Sequence, residues 1–410
     1  MNWNERFARR TGEMKRTAVR ELLSLTAQPG MISFAGGLPA AELFPLEEIR
    51  RAAGTVISRA GKQALQYGET EGVSELRDWI AGRFSRPHFR LDRKNVLIVS
   101  GAQQALDLIG RVLLDEGDAV IVENPTYLAL LSVWRPLGVR FLTVGSDAAG
   151  MRVEELEALF PQGPKLIYAV PNFQNPQGTT LAADRRQRLV DLLRDREIGL
   201  LEDDPYGELR YEGGSMPSLC ELAAVNAAGG RMASPVIHAG TFSKVLAPGL
   251  RVGWVIAEEA VIERLVRAKQ AADLQTGTLS QWLALELIRD GLLERHVPRL
   301  RNAYCERRDA MLAALEHHFP AGINWTRPEG GMFLMVTLPT DWNAGEVLVR
   351  ALAQHVAFVP GADFHLEGAG GNTLRLNFSN ATPELIREGV RRLGGVLQEY
   401  RRNGEARMVS

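Results

Sequence analysis

Short runs of apolar, largely β-branched residues alternate with longer amphipathic stretches through the middle of this chain. Val96–Val99 (VLIV) reads as a buried strand, Gln103–Leu114 as a helix and Ala119–Val122 as a strand. Lys165–Val170 (KLIYAV), Gly199–Leu201, Val236–Ala239 (VIHA) and Val252–Ile256 (VGWVI) read as further strands, with a helix over Asp184–Asp195. A strand that is apolar at every position, not every second one, must be covered on both faces. Such runs separated by helices predict an α/β fold with a mostly parallel sheet between helical layers. Helical periodicity then dominates Ala260–Leu315. Strand patterns return at Gly331–Leu338 (GMFLMVTL), Val356–Val359 and Thr373–Ser379 (TLRLNFS), which predicts a smaller α+β unit. Near the start, Thr17–Leu25 (TAVRELLSL) has helical spacing, and Pro29-Gly30 stops it. No repeat, low-complexity tract or Ser-rich linker intervenes, so packed rather than tethered domains are expected. The expected division is an arm and helix over residues 1–50 that belong with the small domain, a large domain over 51–290 and the C-terminal small domain over 291–410.

Composition changes this picture little. The 410 residues are 45% hydrophobic and 24% charged, as in an ordinary globular protein. A net charge of −1 gives no electrostatic reason to expect a nucleic-acid or membrane partner. Met1–Arg20 is charged and lacks the apolar centre of a signal peptide, and no apolar run is long enough to span a bilayer. A soluble, cytoplasmic protein is therefore expected. Cys220 and Cys305 have no C-x-x-C spacing, so neither a disulfide framework nor a zinc site is expected. His317 and His318 are expected to point in different directions rather than chelate, and Met332 and Met335 read as core. One compositional fact narrows the chemistry: there are only six lysines, at positions 15, 62, 94, 165, 244 and 269.

Five segments carry candidate chemistry. In Thr241-Phe-Ser-Lys-Val-Leu-Ala-Pro-Gly-Leu-Arg251, Lys244 follows an apolar strand, with two hydroxyls before it and an arginine after it. An amine can attack an aldehyde only when neutral, and nearby cations favour that form. Thr241, Ser243 and Arg251 could bind a phosphate; a solvated loop lysine is the alternative. Ser100-Gly101-Ala102-Gln103 leaves a strand and opens a helix, which exposes N–H groups to an anion or else makes an ordinary turn. Glu202-Asp203-Asp204-Pro205-Tyr206 puts carboxylates at a strand's C-terminal end, where one could pair with a protonated ring nitrogen; a metal site is the rival reading. Asn175, in Asn172-Phe-Gln-Asn-Pro-Gln-Gly178, could reach a ring oxygen or simply form an Asn-Pro turn. Arg375 interrupts an apolar strand and so needs an anionic partner, either a substrate carboxylate or a structural glutamate.

Taken in order, the segments VRELLSLT, SFAGGLPAAELFP, LQYGETEG, GAQQALDL, QNPQG, EDDPYGEL, TFSKVLAPGLRVGW and NTLRLNFS resemble those of the fold-type-I pyridoxal-phosphate aminotransferases of class I/II. The likeness is greatest to the 2-aminoadipate (LysN-like) branch, which also includes kynurenine-type and branched-chain or aromatic enzymes. It runs from Arg20 to Arg392. The resemblance implies a seven-stranded, mostly parallel sheet in the large domain. It implies pyridoxal 5′-phosphate as cofactor, and ping-pong transfer of an amino group from an L-amino acid to a 2-oxo acid such as 2-oxoglutarate. Lys244 would hold the cofactor as a Schiff base and then shuttle the proton. Asp203 rather than Asp204 would bind the pyridine nitrogen, because the family pattern Asp-x-x-Tyr selects Tyr206 as its companion. Tyr206 and Asn175 would hold the ring hydroxyl oxygen, and Tyr127 would stack on the ring. Ser100, Gly101, Ala102, Gln103, Thr241 (where the family often has serine), Ser243 and Arg251 would form the phosphate site. Tyr67 would reach the phosphate of a neighbouring subunit, so the active form would be a homodimer with its sites at the interface. Gly37, Asn175 and Arg375 would hold the substrate α-carboxylate, and Arg20, in a helix gating the site, a side-chain carboxylate. A β-lyase, racemase or decarboxylase using the same cofactor is the nearest rival. A regulator's effector domain is remoter, since only about 30 residues precede the core and the chain is not basic.

Overall fold

The structure, a computed structural model, describes residues 1–14, 30–87, 89–225, 233–366 and 368–409. The helix expected over Thr17–Leu25, and Arg20 with it, lies outside the described residues. After a short β1 (Ile32–Ser33) come β2 (Val96–Val99), β3 (Ala119–Glu123), β4 (Arg140–Val144) and a small hairpin of β5 (Ser146–Asp147) and β6 (Gly150–Met151). They are followed by β7 (Pro164–Ala169), β8 (Gly199–Asp203), β9 (Val236–Thr241) and β10 (Gly253–Ile256). Seven of these form one sheet in the order β2-β10-β9-β8-β7-β3-β4, parallel except for β10, which runs against both its neighbours.

The continuous apolar runs have the predicted consequence. Ile98, Ile121, Ile167, Leu200 and Val236 face one core, while Leu97, Val99, Val120, Val122 and Leu201 face another on the opposite side of the sheet. Each such side chain removed from water contributes about 1.5–3 kcal/mol, so a charge at any of these positions is not tolerated. Among the covering helices are α1 (Leu46–Leu65), α2 (Ser74–Phe84) and α3 (Ala102–Leu113); of these, only α3 was expected from the sequence. Further along, α4 (Leu128–Trp134), α5 (Ala183–Leu193), α6 (Leu219–Val225) and α7 (Glu259–Ala272) continue the alternation.

Beyond α8 (Thr278–Arg289) and the long α9 (Leu292–His318), a second sheet is built from β11 (Asn324–Trp325), β12 (Phe333–Thr337), β14 (Val359–Pro360) and β15 (Thr373–Asn377). Its order is β11-β12-β15-β14, all antiparallel. It shares a core with α9, α10 (Ala344–Ala353) and α11 (Pro383–Val409) through Leu334, Leu376, Met311, Val347 and Ile386. The single strand expected over Val356–Val359 is instead two. β13 (Val356–Ala357) pairs in parallel with β1, and after buried Phe358 the chain changes partner, so that β14 becomes the edge of the second sheet. Pro360 is tolerated there because an edge strand need not donate on its outer side. His317 and His318, expected to diverge, have rings 4.6 Å apart, edge to face, where α9 ends. Met332 and Met335 are buried, as read.

This topology gathers the candidate segments. β2, β7, β8 and β9 are mutually parallel across the sheet, so the four segments that follow them emerge at one edge. In parallel α/β sheets that edge is where ligands bind.

Candidate active site

Lys244 owes its place to a one-turn 3-10 helix, Phe242–Lys244, that begins where β9 ends. Thr241 Oγ1 caps the turn by accepting from Ser243 N at 3.1 Å. The Lys244 amine donates to the Gly37 carbonyl at 3.0 Å, and among the described residues it has no carboxylate partner. Loss of water pulls its pKa from the ordinary lysine value down to about 8, and the cations of Arg375 and then Arg251 add to the fall. Lys244 is thus half-buried at the wall of a cavity of about 320 Å³, not a solvated loop residue.

At one end of that cavity Ala102 and Gln103 open α3, whose first N–H groups have no partner within the helix. Gly101 precedes them at φ +83°, and Arg251 is also in the left-handed region at φ +54°. The Arg251 guanidinium donates to the Ser100 carbonyl at 2.7 Å and lies across Gly101. A Cβ on Gly101 would sit 2.6 Å from Arg251 Nη2, so only glycine lets the fork lie there. Thr241 and Ser243 also line the cavity, their hydroxyls 2.9 Å apart. Behind this cup stands an unforeseen network. The fully buried Lys269 of α7 donates to Asp273 Oδ1 at 2.7 Å and to Gln104 Oε1 at 3.0 Å. Gln104 Oε1 also accepts from Ser100 N at 2.7 Å.

Asp203, also lining the cavity, ends β8 with 2% of its surface exposed. Its Oδ2 accepts from the Tyr168 hydroxyl at 2.8 Å, while Oδ1 is buried without a partner. Burial raises this carboxyl's pKa to about 7, which the Tyr168 hydrogen bond and the His238 charge oppose and Asp204 reinforces. Asp204 has both oxygens engaged, Oδ2 by Asn172 Nδ2 at 3.0 Å and Oδ1 by Gly207 N at 2.8 Å. Glu202 accepts from Leu219 N and Cys220 N and lies 3.0 Å from His238 Nδ1. The three consecutive acids therefore serve separate partners and do not converge on one point as metal ligands must. An orphaned carboxylate oxygen costs about 1–3 kcal/mol, and only Asp203 has one facing the cavity.

Tyr127, Asn175 and Tyr206 also line the cavity. Burial pushes the Tyr127 phenol up to about 12 and the Tyr206 phenol higher still, so both are neutral. Tyr206 hydrogen-bonds Asn175, whose Oδ1 also accepts from Arg375 Nη1 at 2.8 Å. Arg375, 3% exposed, gives its Nη2 to the Ala35 carbonyl at 2.7 Å and leaves Nε buried and unpartnered. Its guanidinium carbon stands 4.2 Å from the Phe333 ring centre and 4.9 Å from that of Phe364. Desolvation lowers its pKa only to about 10, so it remains a cation. The structural glutamate considered for it is absent among the described residues.

The whole chain has relatives of known activity. It matches the family of class I and II aminotransferases over residues 30–393. It is 44% identical to 2-aminoadipate transaminase of Thermus thermophilus over 400 residues, covering 97% of this chain and 98% of that one. Aromatic-amino-acid aminotransferase 1 of Thermococcus litoralis is 42% identical over 97% of this chain and 95% of its own length. Among solved structures, LysN from Thermus thermophilus, an α-aminoadipate aminotransferase complexed with N-(5′-phosphopyridoxyl)-L-leucine, superposes with a TM-score of 0.90. It is 42% identical, over 97% of this chain and 99% of the other.

The chain belongs to the class I and II aminotransferases.

This aminotransferase has the fold-type-I architecture, and its cofactor is pyridoxal phosphate. The residues present fit that group on their own evidence. Asp203 Oδ1 lacks a donor, the α3 N-terminus and Arg251 offer donors to an anion, and a partly neutral amine lines the same cavity. Of the residues singled out in the sequence, Ala102, Gln103, Tyr127 and Asn175 line one cavity together with Asp203, Tyr206, Thr241, Ser243, Lys244 and Arg251. Ser100, Gly101, Gly37 and Arg375 touch that set by direct contact. Tyr67 is not among them: it is 78% exposed, in a separate surface depression beside Gln66 and Thr278. Tyr168, Lys269, Gln104 and the Glu202–His238 pair were missed. Only the tyrosine within the KLIYAV run offered a signal, as a hydroxyl needing a partner in an apolar strand.

Proposed function

We propose that the enzyme moves the amino group of an L-amino acid to a 2-oxo acid, 2-oxoglutarate foremost, in two half-reactions at this one cavity. The observation that carries the reading is Arg375: a buried cation with an unpartnered Nε and, among the described residues, no carboxylate, joined through Asn175 to the wall of the Lys244 cavity. A planar guanidinium in that state suits the carboxylate of an α-amino or α-oxo acid, with Asn175 and Gly37 completing its grip. When bound, pyridoxal phosphate supplies an aldehyde that condenses with amines and a ring that takes up the electrons of a broken Cα–H bond.

The residues divide the remaining work. The Ser100–Gln103 amides, Thr241, Ser243 and Arg251 hold the phosphate. Asp203 would hold the protonated pyridine nitrogen, Asn175 and Tyr206 the ring hydroxyl oxygen, and Tyr127 would stack on the ring. Lys244 Nζ, when neutral, would be the base that takes the proton from the substrate Cα and holds it for return. Tyr67, exposed in the single chain, serves the phosphate of a second copy in a homodimer, and the protein works in the cytoplasm. We divide the chain into an arm over 1–50, a large domain over 51–290 and a small domain over 291–410; the core around the second sheet supports a distinct small unit that takes in Ile32 and Phe34 of the arm, while Leu292, Leu300 and Tyr304 pack in the large core.

The donor is 2-aminoadipate or glutamate, with Arg20 receiving the distal carboxylate; branched-chain and aromatic acids share the site. Support comes from the 44% identity to a 2-aminoadipate transaminase. A donor screen with 2-oxoglutarate, run also as a half-reaction, tests the proposal. Pyridoxamine phosphate should accumulate with aminoadipate, and Arg20→Ala should reduce aminoadipate turnover far more than leucine turnover. Ammonia, carbon dioxide or racemised substrate as the main product would replace this reading with a lyase, decarboxylase or racemase.

A further inference from the structure

We propose that Tyr168 is a positioning residue that acts through Asp203: its hydroxyl fixes one carboxylate oxygen so that the other is left ionised and aimed at the cofactor's ring nitrogen. The inference rests on the reading of Asp203 given above and goes beyond it to a residue with no assigned role.

The geometry is a matter of strand parity. Tyr168 on β7 and Asp203 on β8 belong to neighbouring parallel strands, and both side chains emerge on the sheet face that carries Leu201 and Ala239. The Tyr168 ring is held from behind by the edge of Trp134, at 6.1 Å between ring centres, and the residue is 1% exposed. Its hydroxyl therefore has little freedom, and it donates to Asp203 Oδ2 at 2.8 Å. A carboxylate with two free oxygens can rotate, and buried without donors it takes up a proton. With Oδ2 pinned, Oδ1 is the oxygen left buried and unpartnered in the cavity. A phenylalanine at position 168 would pack in the same apolar slot but leave both oxygens bare.

The charged and titratable groups around Asp203 do not do the same job. Asp204 opposes its ionisation, and His238 favours it only as a charge, being bonded to Glu202. The Tyr127 and Tyr206 phenols are neutral, and Asn175 rather than Asp203 is the hydrogen-bond partner of Tyr206. Lys244 donates to Gly37, and Arg375 to Asn175 and Ala35. Among the described residues, Tyr168 is thus the direct donor to this carboxylate.

The test uses the apoenzyme and two probes that cannot condense with Lys244: pyridoxamine 5′-phosphate, and its 1-deaza analogue with C–H in place of the ring nitrogen. Wild-type protein should bind the first more tightly than the second. Tyr168→Phe should weaken pyridoxamine phosphate on the order of tenfold and leave the deaza analogue nearly unchanged, so that most of the preference disappears. In an Asp203→Asn background, Tyr168→Phe should have no further effect on either probe. Equal weakening of both probes, or undiminished preference in Tyr168→Phe, overturns the inference about Tyr168 alone. No preference in the wild type overturns the reading of Asp203 as well. Should Tyr168→Phe not fold, 3-fluorotyrosine at position 168 keeps the hydroxyl and makes it a stronger donor. Under the proposal it raises the preference, and an unchanged preference overturns it.

Discussion

Lys244 is predicted to react as an amine with a pKa of about 8, and the consequence can be put as a rate. At pH 7.5, an amine of that pKa is neutral in about one molecule in four, whereas an ordinary lysine near 10.5 is neutral in about one in a thousand. The site therefore supplies roughly 200 times more nucleophile at that pH than a solvated lysine would. The perturbation is pH itself, applied to apoenzyme mixed with excess pyridoxal phosphate in a stopped-flow absorbance assay. From pH 7.5 upward Asp203, whose carboxyl sits at about 7, is mostly ionised and contributes little to the change. The observed condensation rate should rise about fourfold and level off near pH 9, as the last protonated amine is used up. The shift comes first from desolvation and then from Arg375 and Arg251, so it belongs to the folded cavity and should vanish when the protein is denatured. A rate that climbs about tenfold per pH unit to pH 10 and beyond would show an unperturbed lysine and refute the reasoning.

Other consequences are simpler to read. Arg375→Gln should lower kcat/KM for amino acids by about a hundredfold or more; because it also removes a donor from Asn175 and Ala35, pyridoxal-phosphate affinity should fall too, but by less than about tenfold. Gly101→Ala forces a Cβ onto the Arg251 guanidinium in a left-handed backbone; equilibrium titration with pyridoxal phosphate should show at least about a tenfold loss of affinity. Lys269→Met should cost only about 1 kcal/mol in urea unfolding, since exposed Asp273 keeps the Gln104 amide and Ser100 hydroxyl as donors and Gln104 Oε1 keeps Ser100 N; a loss above about 3 kcal/mol would mean that the ion pair is held out of water.

The large sheet was legible because a run such as Val96–Val99, apolar at every position, has one physical solution: cover on both faces. β4 escaped notice because it is the sheet's edge and Arg140 begins it exposed; α1 and α2 escaped because their polar faces dilute the apolar period. The division of Val356–Val359 depends on which strands lie beside it, and no local pattern records that. In the site, Lys244 and Arg375 stood out as charges inside apolar strands or just after them, where desolvation demands a purpose. Residue type alone could not separate Asp203 from Asp204. The parity of β8 separates them, since one carboxyl enters the cavity and the other is satisfied by Asn172 and Gly207. Tyr168 and Lys269 were hidden for the opposite reason. They sit in ordinary strand and helix patterns, and their importance comes from partners 35 and 165 residues away.

Reduction of the pyridoxal-phosphate-loaded enzyme with borohydride, followed by peptide mapping, addresses the account at its base. The cofactor should be recovered as a stable secondary amine on the peptide containing Lys244, one label per chain, and Lys244→Ala should take up none. Label on another of the six lysines, or loading that survives in Lys244→Ala with full transamination, would contradict it.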